Sequence, residues 1–298
     1  MRMHADEVDT SADLVRRLLA AQFPEWAELP IVPVLPMGTD NALYRIGERM
    51  VGRLPRRPGT TATLAKECRW LPRLAPLLPL AVPVPLALGA PGEGYPYAWA
   101  IYCWLEGDTA TDGHVDRDRA AADLAGFIAA LQRIDPAGGP PPGEHNFARG
   151  EPLARRDEAT RAAIASLAGT IEAGAATEVW EAALAAPDWQ RPPVWIHGDL
   201  DARNLLVRDG RLSAVIDFGC LGVGDPACEA MAAWKVLPAG ARAAFRAALA
   251  LDDATYARAR GWALSQAVTA LAYYTLETNA VLFREAQRWL TEVLRDAS

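Results

Sequence analysis

The segment from Val194 to Gly219 constrains the fold of this chain more than any other part of the sequence. One short apolar run ends at His197-Gly198-Asp199, Asn204 follows Asp199 by five positions, and a second apolar run ends at Asp217-Phe218-Gly219. Short apolar runs that are bounded by turn residues are typical of buried strands. The segment therefore predicts two strand ends that carry two carboxylates and one carboxamide.

These three side chains are of the types that phosphoryl transfer to a hydroxyl group requires. The transition state of that reaction is loose and highly charged, so the protein mainly positions groups and neutralises charge. A carboxylate can orient a hydroxyl group and accept its proton, whereas carboxamide and carboxylate oxygens suit Mg²⁺. The order H-x-D-x-x-x-x-N and then D-F-G matches the catalytic loop and the metal loop of the kinase motif set. We expect Asp199 to be catalytic, and Asn204 and Asp217 to bind Mg²⁺.

The connection after the second apolar run is short. Only Cys220 to Asp225 separate it from a helix that is predicted to begin at Pro226, which leaves no room for the long activation segment of a protein kinase. The first motif reads H-G-D, without the arginine by which protein kinases bind a phosphorylated activation segment. Both observations point away from protein substrates.

The two motif segments resemble the aminoglycoside phosphotransferase family of small-molecule kinases, which also includes macrolide, choline, homoserine and methylthioribose kinases. In this chain the segments read HGDLDARNLLV and VIDFGCLGVGDPACEAM. Three linked motifs at ordered spacing carry the resemblance. It implies an α+β, two-lobed, protein-kinase-like fold. The expected lobes are a nucleotide-binding lobe at residues 1–103, with a five-stranded antiparallel sheet, and a mostly helical lobe at residues 104–298 that holds both loops and the substrate pocket. ATP or GTP, with Mg²⁺, is the implied phosphate donor, and the sequence does not name the purine.

Two residues beside the motifs have more than one interpretation. His197 lies next to a strand end, where a histidine more often packs than catalyses, so we expect it to hold the loop. Asp225 before Pro226 fits a helix cap followed by proline at the first helical position. The resemblance instead suggests that Asp225 braces the catalytic loop, and both interpretations stay open.

The N-terminal part of the chain predicts a hairpin of three strands at Ile31 to Leu35, Ala42 to Ile46 and Met50 to Leu54. The loop between the first two strands contains Gly38, Thr39 and Asn41. In a kinase lobe such a loop covers the nucleotide phosphates and binds them with backbone N–H groups and side-chain donors. An ordinary polar turn is the alternative for this loop when it is considered alone.

The third strand carries the expected phosphate-binding cation. The usual lysine is absent, and Arg53 stands in an R-x-P-R-R sequence that looks like the macrolide phosphotransferase branch. The kinase arrangement pairs this cation with a helix glutamate. Glu67, in a helix predicted over Ala62 to Leu77, is the expected partner, although helix glutamates are often solvated and Lys66 is adjacent. The resemblance also implies that Cys103 and Leu105, at the interlobe hinge, bind the nucleotide base.

Helical periodicity predicts the elements of the second lobe. The predicted helices are Val115 to Ile134, Leu153 to Leu167, Glu178 to Ala186, Pro226 to Val236, Ala241 to Leu251, Ala254 to Glu277 and Val281 to Leu294. In the resembled family the acceptor binds in this lobe. The candidate substrate residues here are Asp201, Arg203, Glu229, Trp234, Tyr273 and Glu277.

The nature of the acceptor is less constrained. Cationic aminoglycosides call for several acids near Asp199, and a macrolide calls for a wide apolar cavity with one carboxylate. With the R-x-P-R-R strand, we expect the hydroxyl group of an antibiotic, macrolide-like or aminoglycoside. The alternatives are a metabolic kinase of the choline, homoserine or sugar type, and a non-catalytic kinase-like module that binds nucleotides.

Composition excludes several other classes of function. The net charge of −7 and the pI near 5.2 argue against a nucleic-acid partner. The N-terminal sequence lacks the apolar run of a signal peptide, and no window offers the roughly 18 apolar residues of a membrane span. The four cysteines form no C-x-x-C pair, which favours a reduced compartment. We therefore expect a cytoplasmic protein with a small-molecule substrate, no membrane partner, and a monomeric or weakly dimeric state.

Overall fold

The computed structural model describes residues 8–35, 41–58, 61–111 and 115–296. By its internal contacts the chain forms two compact units. The first comprises Met1–Glu106 and Ala214–Gly219, and the second comprises Gly107–Ser213 and Cys220–Ser298. The lobe boundary between residues 103 and 104 that the sequence favoured stays a prediction.

The first unit is built on a five-stranded sheet in which every neighbouring pair is antiparallel, in the order β1-β2-β3-β5-β4. Its strands are β1 (Ile31–Pro33), β2 (Asn41–Ile46), β3 (Met50–Pro55), β4 (Pro85–Gly89) and β5 (Trp99–Cys103). Side chains of a strand alternate between its two faces, and β2 accordingly buries every second residue. The predicted five-stranded antiparallel sheet is confirmed.

Helix α1 (Ala12–Gln22) covers one face of this sheet. It begins where the Ser11 hydroxyl accepts a hydrogen bond from the Leu14 N–H at 3.1 Å, a typical N-cap. The apolar residues of α1 repeat at helical spacing, so they form one buried face. That face packs in a single core with residues of β1, β2 and β5.

Helix α2 (Thr61–Leu74) carries Glu67 on its buried side. The sequence predicted an α-helix up to Leu77, but residues Ala75–Leu77 form a 3₁₀ turn instead. Pro76 explains the difference, because proline lacks an N–H and disfavours the α conformation of the residue before it.

The second unit is mostly helical, as predicted. Its helices are α3 (Arg117–Arg133), α4 (Asp157–Ser166), α5 (Ala173–Ala185), α6 (Ala227–Ala230), α7 (Ala232–Lys235), α8 (Ala239–Ala248), α9 (Asp253–Tyr273) and α10 (Leu276–Arg295). Helix α9 packs against α4, α5, α6 and α10. Neighbours on several sides explain why α9 is buried around most of its circumference. In the described residues no helix is long and apolar enough to cross a membrane.

Several predicted helix boundaries were wrong. The helix predicted from Leu153 begins at Asp157 after a 3₁₀ turn, and the helix predicted from Val281 begins at Leu276. The helix predicted over Pro226 to Val236 is two short helices, α6 and α7, separated at Met231. The helix predicted to reach Glu277 ends at Tyr273, because Thr275 caps the next helix with its side chain. The helix predicted from Glu178 begins at Ala173, since alanines before it extend the helical run.

Short strands frame the two motif loops. They are β6 (Asp108–Thr109), β7 (Val194–Ile196), β8 (Leu205–Arg208), β9 (Arg211–Val215) and β10 (Gly222–Gly224). Strand β7 pairs with β10, and β6, β8 and β9 form a second small sheet. The catalytic loop thus follows β7, and the metal loop follows β9, so both predicted strand ends are confirmed.

Candidate functional site

The catalytic loop turns sharply after β7 at Gly198. Gly198 has a φ of +83°, a conformation that residues with a side chain rarely adopt. An ideal Cβ at this position would lie 2.8 Å from the carbonyl oxygen of Cys220. An arginine therefore does not fit in this loop, which explains in physical terms why the motif reads H-G-D.

Buried groups on both sides hold the turn in place. His197 is fully buried, and its Nδ1 accepts a hydrogen bond from the Asp199 N–H at 3.2 Å, in agreement with the expected loop-holding contact. Glu229 in α6 accepts from the Gly198 N–H at 2.6 Å and is also fully buried. Burial raises the pKa of Glu229 above its ordinary value. Glu229 was a candidate substrate residue, but the structure places it against the backbone of the catalytic loop.

Lys235 makes the closest charged contact to Asp199. Its Nζ lies 3.0 Å from Asp199 Oδ1 and 3.6 Å from Asp201 Oδ2, and it donates to Gln266 Oε1 at 2.8 Å. Lys235 is fully buried and also lies over the Trp289 ring, 4.5 Å from the ring centroid. A buried ammonium is stable only when it is paired in this way. Lys235 was not among the predicted site residues, although it is one of only two lysines in the chain.

The surroundings of Asp199 set its charge. Burial disfavours the ionised carboxylate, but Lys235, followed by Arg149 and Arg203, outweighs burial and holds the pKa of Asp199 well below its ordinary range. Asp199 is therefore ionised at physiological pH. A carboxylate with such a low pKa can accept a hydrogen bond but is a weak base.

Asn204 follows in the same loop and leaves its carboxamide oxygen available. Its Nδ2 donates to the Asp199 carbonyl oxygen at 2.9 Å, which fixes the direction of the amide. Within the described part of the chain, Asn204 Oδ1 accepts no hydrogen bond. An oriented, unpaired oxygen of this kind fits a Mg²⁺ ligand.

Asp201 stabilises the turn between Asp199 and Asn204. It accepts from the Arg203 backbone N–H at 2.8 Å, and its carboxylate pairs with Arg203 Nη2 at 2.6 Å. Asp201 is fully buried, whereas Arg203 retains 30% side-chain exposure. Asp201, a second candidate substrate residue, is thus used inside the loop.

Arg53 and Glu67 form the ion pair that the sequence predicted. Arg53 Nη1 lies 2.8 Å and 2.7 Å from the two carboxylate oxygens of Glu67, and Tyr102 Oη donates to Glu67 at 2.7 Å. The Asn41 amide, oriented with its oxygen towards the guanidinium, accepts from Arg53 Nη2 at 3.1 Å and from Nε at 3.2 Å. Burial opposes the charge on Arg53, but Glu67 and then Asp217 outweigh burial and raise the pKa of Arg53.

The metal loop lies beside this pair in the first unit. The Asp217 carboxylate is 3.7 Å from Arg53 Nη2 and keeps 56% side-chain exposure. Asp217 has a φ of 62°, which aspartate tolerates better than most residues. Lys66 donates to the Gly219 carbonyl oxygen at 2.8 Å, so the neighbour of Glu67 ties α2 to the metal loop. Among the described residues, no three His, Cys, Asp or Glu side chains gather into a metal site.

The hinge segment leaves one residue available for a nucleotide base. The Cys103 N–H donates to Val84 O at 3.0 Å, and the Trp104 N–H donates to Arg49 O at 2.8 Å. Leu105 makes no hydrogen bond to another described backbone group. Of the two predicted base-binding residues, Leu105 therefore has the free backbone groups. Gly38 and Thr39, the predicted phosphate-binding residues, lie outside the described residues.

The remaining substrate candidates lie away from the catalytic loop in sequence. Trp234 in α7 is fully buried and donates to Asp296 at 3.0 Å, so it packs the helical core. Tyr273 ends α9 with 67% exposure, and Glu277 is exposed in the first turn of α10. Asp225 was left open between a helix cap and a brace. It accepts from the Ala227 N–H at 2.9 Å and also forms a buried ion pair with Arg258 at 2.7 Å.

Comparison with protein families gives a match over most of the chain. The profile of the phosphotransferase enzyme family matches residues 31–262. Comparison with curated protein sequences gives no significant match.

Solved structures share the fold over nearly the whole chain. Aminoglycoside 2'-phosphotransferase-IIIa, solved with GDP, has a TM-score of 0.73 and 18% identity over 97% of this chain and 100% of that chain. A macrolide 2'-phosphotransferase from Brachybacterium faecium, solved as the apoenzyme, has a TM-score of 0.62 and 27% identity over 94% of this chain and 97% of that chain. A type I macrolide 2'-phosphotransferase has a TM-score of 0.65 and 22% identity over 95% and 98% of the two chains. The predicted α+β, kinase-like fold is confirmed.

Proposed function

The chain belongs to the phosphotransferase enzyme family, and from that premise we propose that it transfers the γ-phosphate of ATP or GTP to a hydroxyl group of a small molecule. The catalytic loop carries this proposal. In it a carboxylate that is ionised at physiological pH, Asp199, stands beside an oriented carboxamide oxygen of Asn204. Together with the exposed carboxylate of Asp217, this is the set of oxygen groups that phosphoryl transfer requires.

Asp199 is the proposed catalytic residue. Its carboxylate accepts the hydrogen bond of the attacking hydroxyl group and so directs the oxygen lone pair towards the phosphate. Because its pKa is low, Asp199 takes up the proton only when the new phosphate ester has largely formed. This order suits a loose transition state, in which the nucleophile needs little activation. Lys235 keeps the carboxylate in place and ionised.

Arg53, Asn204 and Asp217 are the proposed phosphate and metal ligands. Glu67 directs the guanidinium of Arg53, whose planar fork can bind two phosphate oxygens. Asn204 Oδ1 and the Asp217 carboxylate have the donor chemistry that Mg²⁺ prefers. When bound, Mg²⁺ neutralises charge on the phosphates. We assign Leu105 to the nucleotide base, with Gly38, Thr39 and Asn41 near the phosphates and Cys103 as a hinge support.

Two classes of acceptor remain in the proposal. The first is a hydroxyl group of an antibiotic, of the macrolide or aminoglycoside type, which is the kind of molecule that the names of the similar structures specify for those proteins. The second is the hydroxyl group of a metabolite. One observation counts against a polycationic acceptor of the aminoglycoside type: Asp201 and Glu229, two acidic candidate substrate residues, are fully buried and bonded within the catalytic loop.

The experiment begins with hydrolysis of ATP and GTP in the presence of Mg²⁺, which measures transfer to water without any acceptor. A panel of macrolides, aminoglycosides, choline, homoserine and sugars then identifies the acceptor class by stimulation of turnover. Asp199→Asn should lower the rate of transfer by roughly 10²- to 10⁴-fold and leave nucleotide binding nearly unchanged. Asp209→Asn is the matched control, because the Asp209 side chain is 94% exposed in the same unit.

Two outcomes contradict the proposal. Equal transfer rates for wild type and Asp199→Asn would remove Asp199 from the mechanism. Absence of Mg²⁺-dependent turnover with both nucleotides and every acceptor would overturn the kinase activity itself.

A further inference from the structure

Two arginines beside the catalytic loop, Arg149 and Arg156, share one tryptophan. The Cζ atom of Arg149 lies 5.8 Å from the centroid of the Trp262 ring, and that of Arg156 lies 5.3 Å from it. Trp262 belongs to α9 and is fully buried. An ideal Cβ on Gly198 would be 3.3 Å from the Cβ of Arg149, so this arginine packs directly against the catalytic loop. We refer to Arg149 and Arg156 as the arginine pair.

The arginine pair has no acidic partner. Within the described ranges, no carboxylate oxygen lies within 4.0 Å of either guanidinium. Arg156 Nε donates to the neutral hydroxyl of Ser265 at 2.8 Å, and Arg149 Nε is buried without a hydrogen-bond partner in the described structure. Other arginines of this unit are paired: Arg203 binds Asp201 and Arg258 binds Asp225. The arginine pair differs from these two residues in having no carboxylate partner.

The electrostatics of the pair are unfavourable as they stand. Burial, and then the charge of Arg149, lowers the pKa of Arg156 to about 10. Two like charges that are partly buried together repel each other and are only partly solvated. The terminal guanidinium nitrogens of both residues make no hydrogen bond to the described residues, and both residues are only half-buried, so these nitrogens are available to a ligand. An anion at this place would relieve both the repulsion and the unmet hydrogen bonds.

The position of the pair connects it to the acceptor. Arg149 packs against Gly198, the residue directly before Asp199, so its charge lies near the proposed catalytic carboxylate. The loop carboxylates Asp201 and Glu229 are bonded to Arg203 and to the Gly198 N–H, and neither forms a salt bridge with the arginine pair. A polycationic acceptor would meet two guanidiniums that lack a carboxylate partner, whereas an anionic acceptor would be attracted.

We propose that the arginine pair binds a carboxylate or phosphate group of the acceptor, and thereby that this kinase phosphorylates a hydroxyl group of an anionic small molecule. The inference rests on the proposed function and narrows its substrate class. Guanidinium forks match the planar geometry of a carboxylate and the oxygens of a phosphate ester, so either anion fits. Both guanidiniums lie within about 6 Å of the centroid of the Trp262 ring, and these cation–π contacts help to hold them in place.

The test compares matched acceptors on the wild-type chain with saturating Mg²⁺ and nucleotide. Glucose, glucosamine, gluconate and glucose 6-phosphate are related polyhydroxyl compounds that share most of their hydroxyl groups and differ in charge. The carboxylate and phosphate members separate the two anions. The anionic members should stimulate turnover, or inhibit the slow transfer to water, at concentrations at least about tenfold lower than glucose, since a charge-assisted hydrogen bond contributes about that factor or more. Glucosamine, the cationic member, should require the highest concentration.

Three variants assign the effect to the arginine pair. Arg149→Gln and Arg156→Gln should each raise the concentration at which the anionic compound acts by at least about tenfold. Arg155→Gln removes the same charge from the adjacent position, where the side chain is 73% exposed. It should change the concentration at which the anionic compound acts by less than about threefold. If either test variant does not fold, the wild-type comparison of charged and neutral compounds still decides.

The outcomes separate this inference from the proposed function. Mg²⁺-dependent hydrolysis without any preference for anionic compounds would overturn the inference and leave the kinase assignment standing. An equal loss of the preference for anionic compounds in Arg155→Gln and Arg156→Gln would also overturn the inference, because a general loss of positive charge would then be responsible. Absence of both hydrolysis and transfer would instead contradict the proposed function.

Discussion

At the scale of single residues, the charge on Asp199 depends on a lysine that lies 36 positions later in the sequence. Lys235 is buried, and its ammonium group is the first cation that lowers the pKa of Asp199. Two carboxylates, Asp199 and Asp201, share this ammonium group, while Gln266 fixes its direction. Lys235 is therefore a positioning residue: it acts on the acceptor only through Asp199.

Lys235→Met should move the acid limb of the pH–rate profile upwards. In the wild type the pKa of Asp199 is well below its ordinary range, so protonation of Asp199 should not limit turnover in mild acid. Without the ammonium group the pKa of Asp199 rises, towards or beyond the ordinary value of about 4, and turnover falls as the pH drops through the new value. Misplacement of the carboxylate should also lower the maximal rate, on the order of 10²-fold.

Lys235→Arg is the comparison variant, because it keeps the positive charge in a larger side chain. It should leave the acid limb closer to that of the wild type than Lys235→Met does. A purely structural role of Lys235 would lower activity at every pH equally, and an unchanged acid limb in Lys235→Met would therefore count against the electrostatic role.

Residue identity alone could not reveal this arrangement. Asp199, Asn204 and Asp217 were predicted because their spacing forms a motif within one short segment. Lys235 lies outside the segment and belongs to a short helix whose amphipathic pattern gives no sign that one face meets two carboxylates. Burial of Asp201 and Glu229 was equally invisible, because an acidic residue in a loop is normally exposed. The signal available was the scarcity of lysine, which is informative only once the fold is known.

At the scale of elements, the Asp225–Arg258 ion pair connects the start of α6 to α9. Arg258 Nε and Nη2 lie 2.7 Å and 3.1 Å from the two oxygens of Asp225, and both side chains are almost fully buried. The pair follows directly after β10, which is paired with β7 ahead of the catalytic loop. It therefore anchors one end of the segment on which that loop rests.

Arg258→Met should destabilise the second unit by about 3–5 kcal/mol, because it leaves the carboxylate of Asp225 buried without its partner. Denaturant unfolding, followed by tryptophan fluorescence, measures the change. Arg246→Met is the matched control: Arg246 pairs with Asp253, whose side chain is fully exposed, and its loss should change stability by less than about 1 kcal/mol. Asp225→Asn combined with Arg258→Met should recover part of the loss. Similar destabilisation by Arg246→Met and Arg258→Met would contradict an anchoring role.

Elements were predictable where local signals were complete. The pairing of Arg53 with Glu67 could be predicted because the kinase motif pairs the cation of the third strand with a glutamate of the following helix. The structure contains this ion pair. Helix ends were predicted poorly where the deciding signal was a cap or a proline: Thr275 starts α10, and Pro76 converts the end of α2 to a 3₁₀ turn. Apolar periodicity runs through such positions, so it does not fix where a helix begins or ends.

At the scale of the whole molecule, the groups proposed for phosphate transfer are distributed over both compact units. Arg53, Glu67 and Asp217 belong to the first unit, and Asp199 and Asn204 to the second. The metal loop joins the first unit although it follows the catalytic loop in sequence. Ala214 forms a bridge with Ala81, and Lys66 binds the Gly219 carbonyl oxygen at 2.8 Å. Contiguity in sequence therefore does not decide which groups a unit contributes.

Binding of Mg²⁺ and nucleotide should accordingly stabilise the folded chain. A ligand at about 100 times its dissociation constant adds about 2.7 kcal/mol to the free energy of unfolding, which for a chain of this size raises the Tm by several degrees. A non-hydrolysable analogue of ATP or GTP, tested with and without Mg²⁺ in a thermal scan, measures the shift and shows which purine binds better.

Asp217→Asn should lose the Mg²⁺-dependent part of the shift, because it removes the charge of a proposed metal ligand. Asp209→Asn, in which an exposed carboxylate is neutralised in the same way, should keep it. Should Asp217→Asn retain the full Mg²⁺-dependent shift, Asp217 would not be a metal ligand, and the pairing of its carboxylate with Arg53 would be its only role.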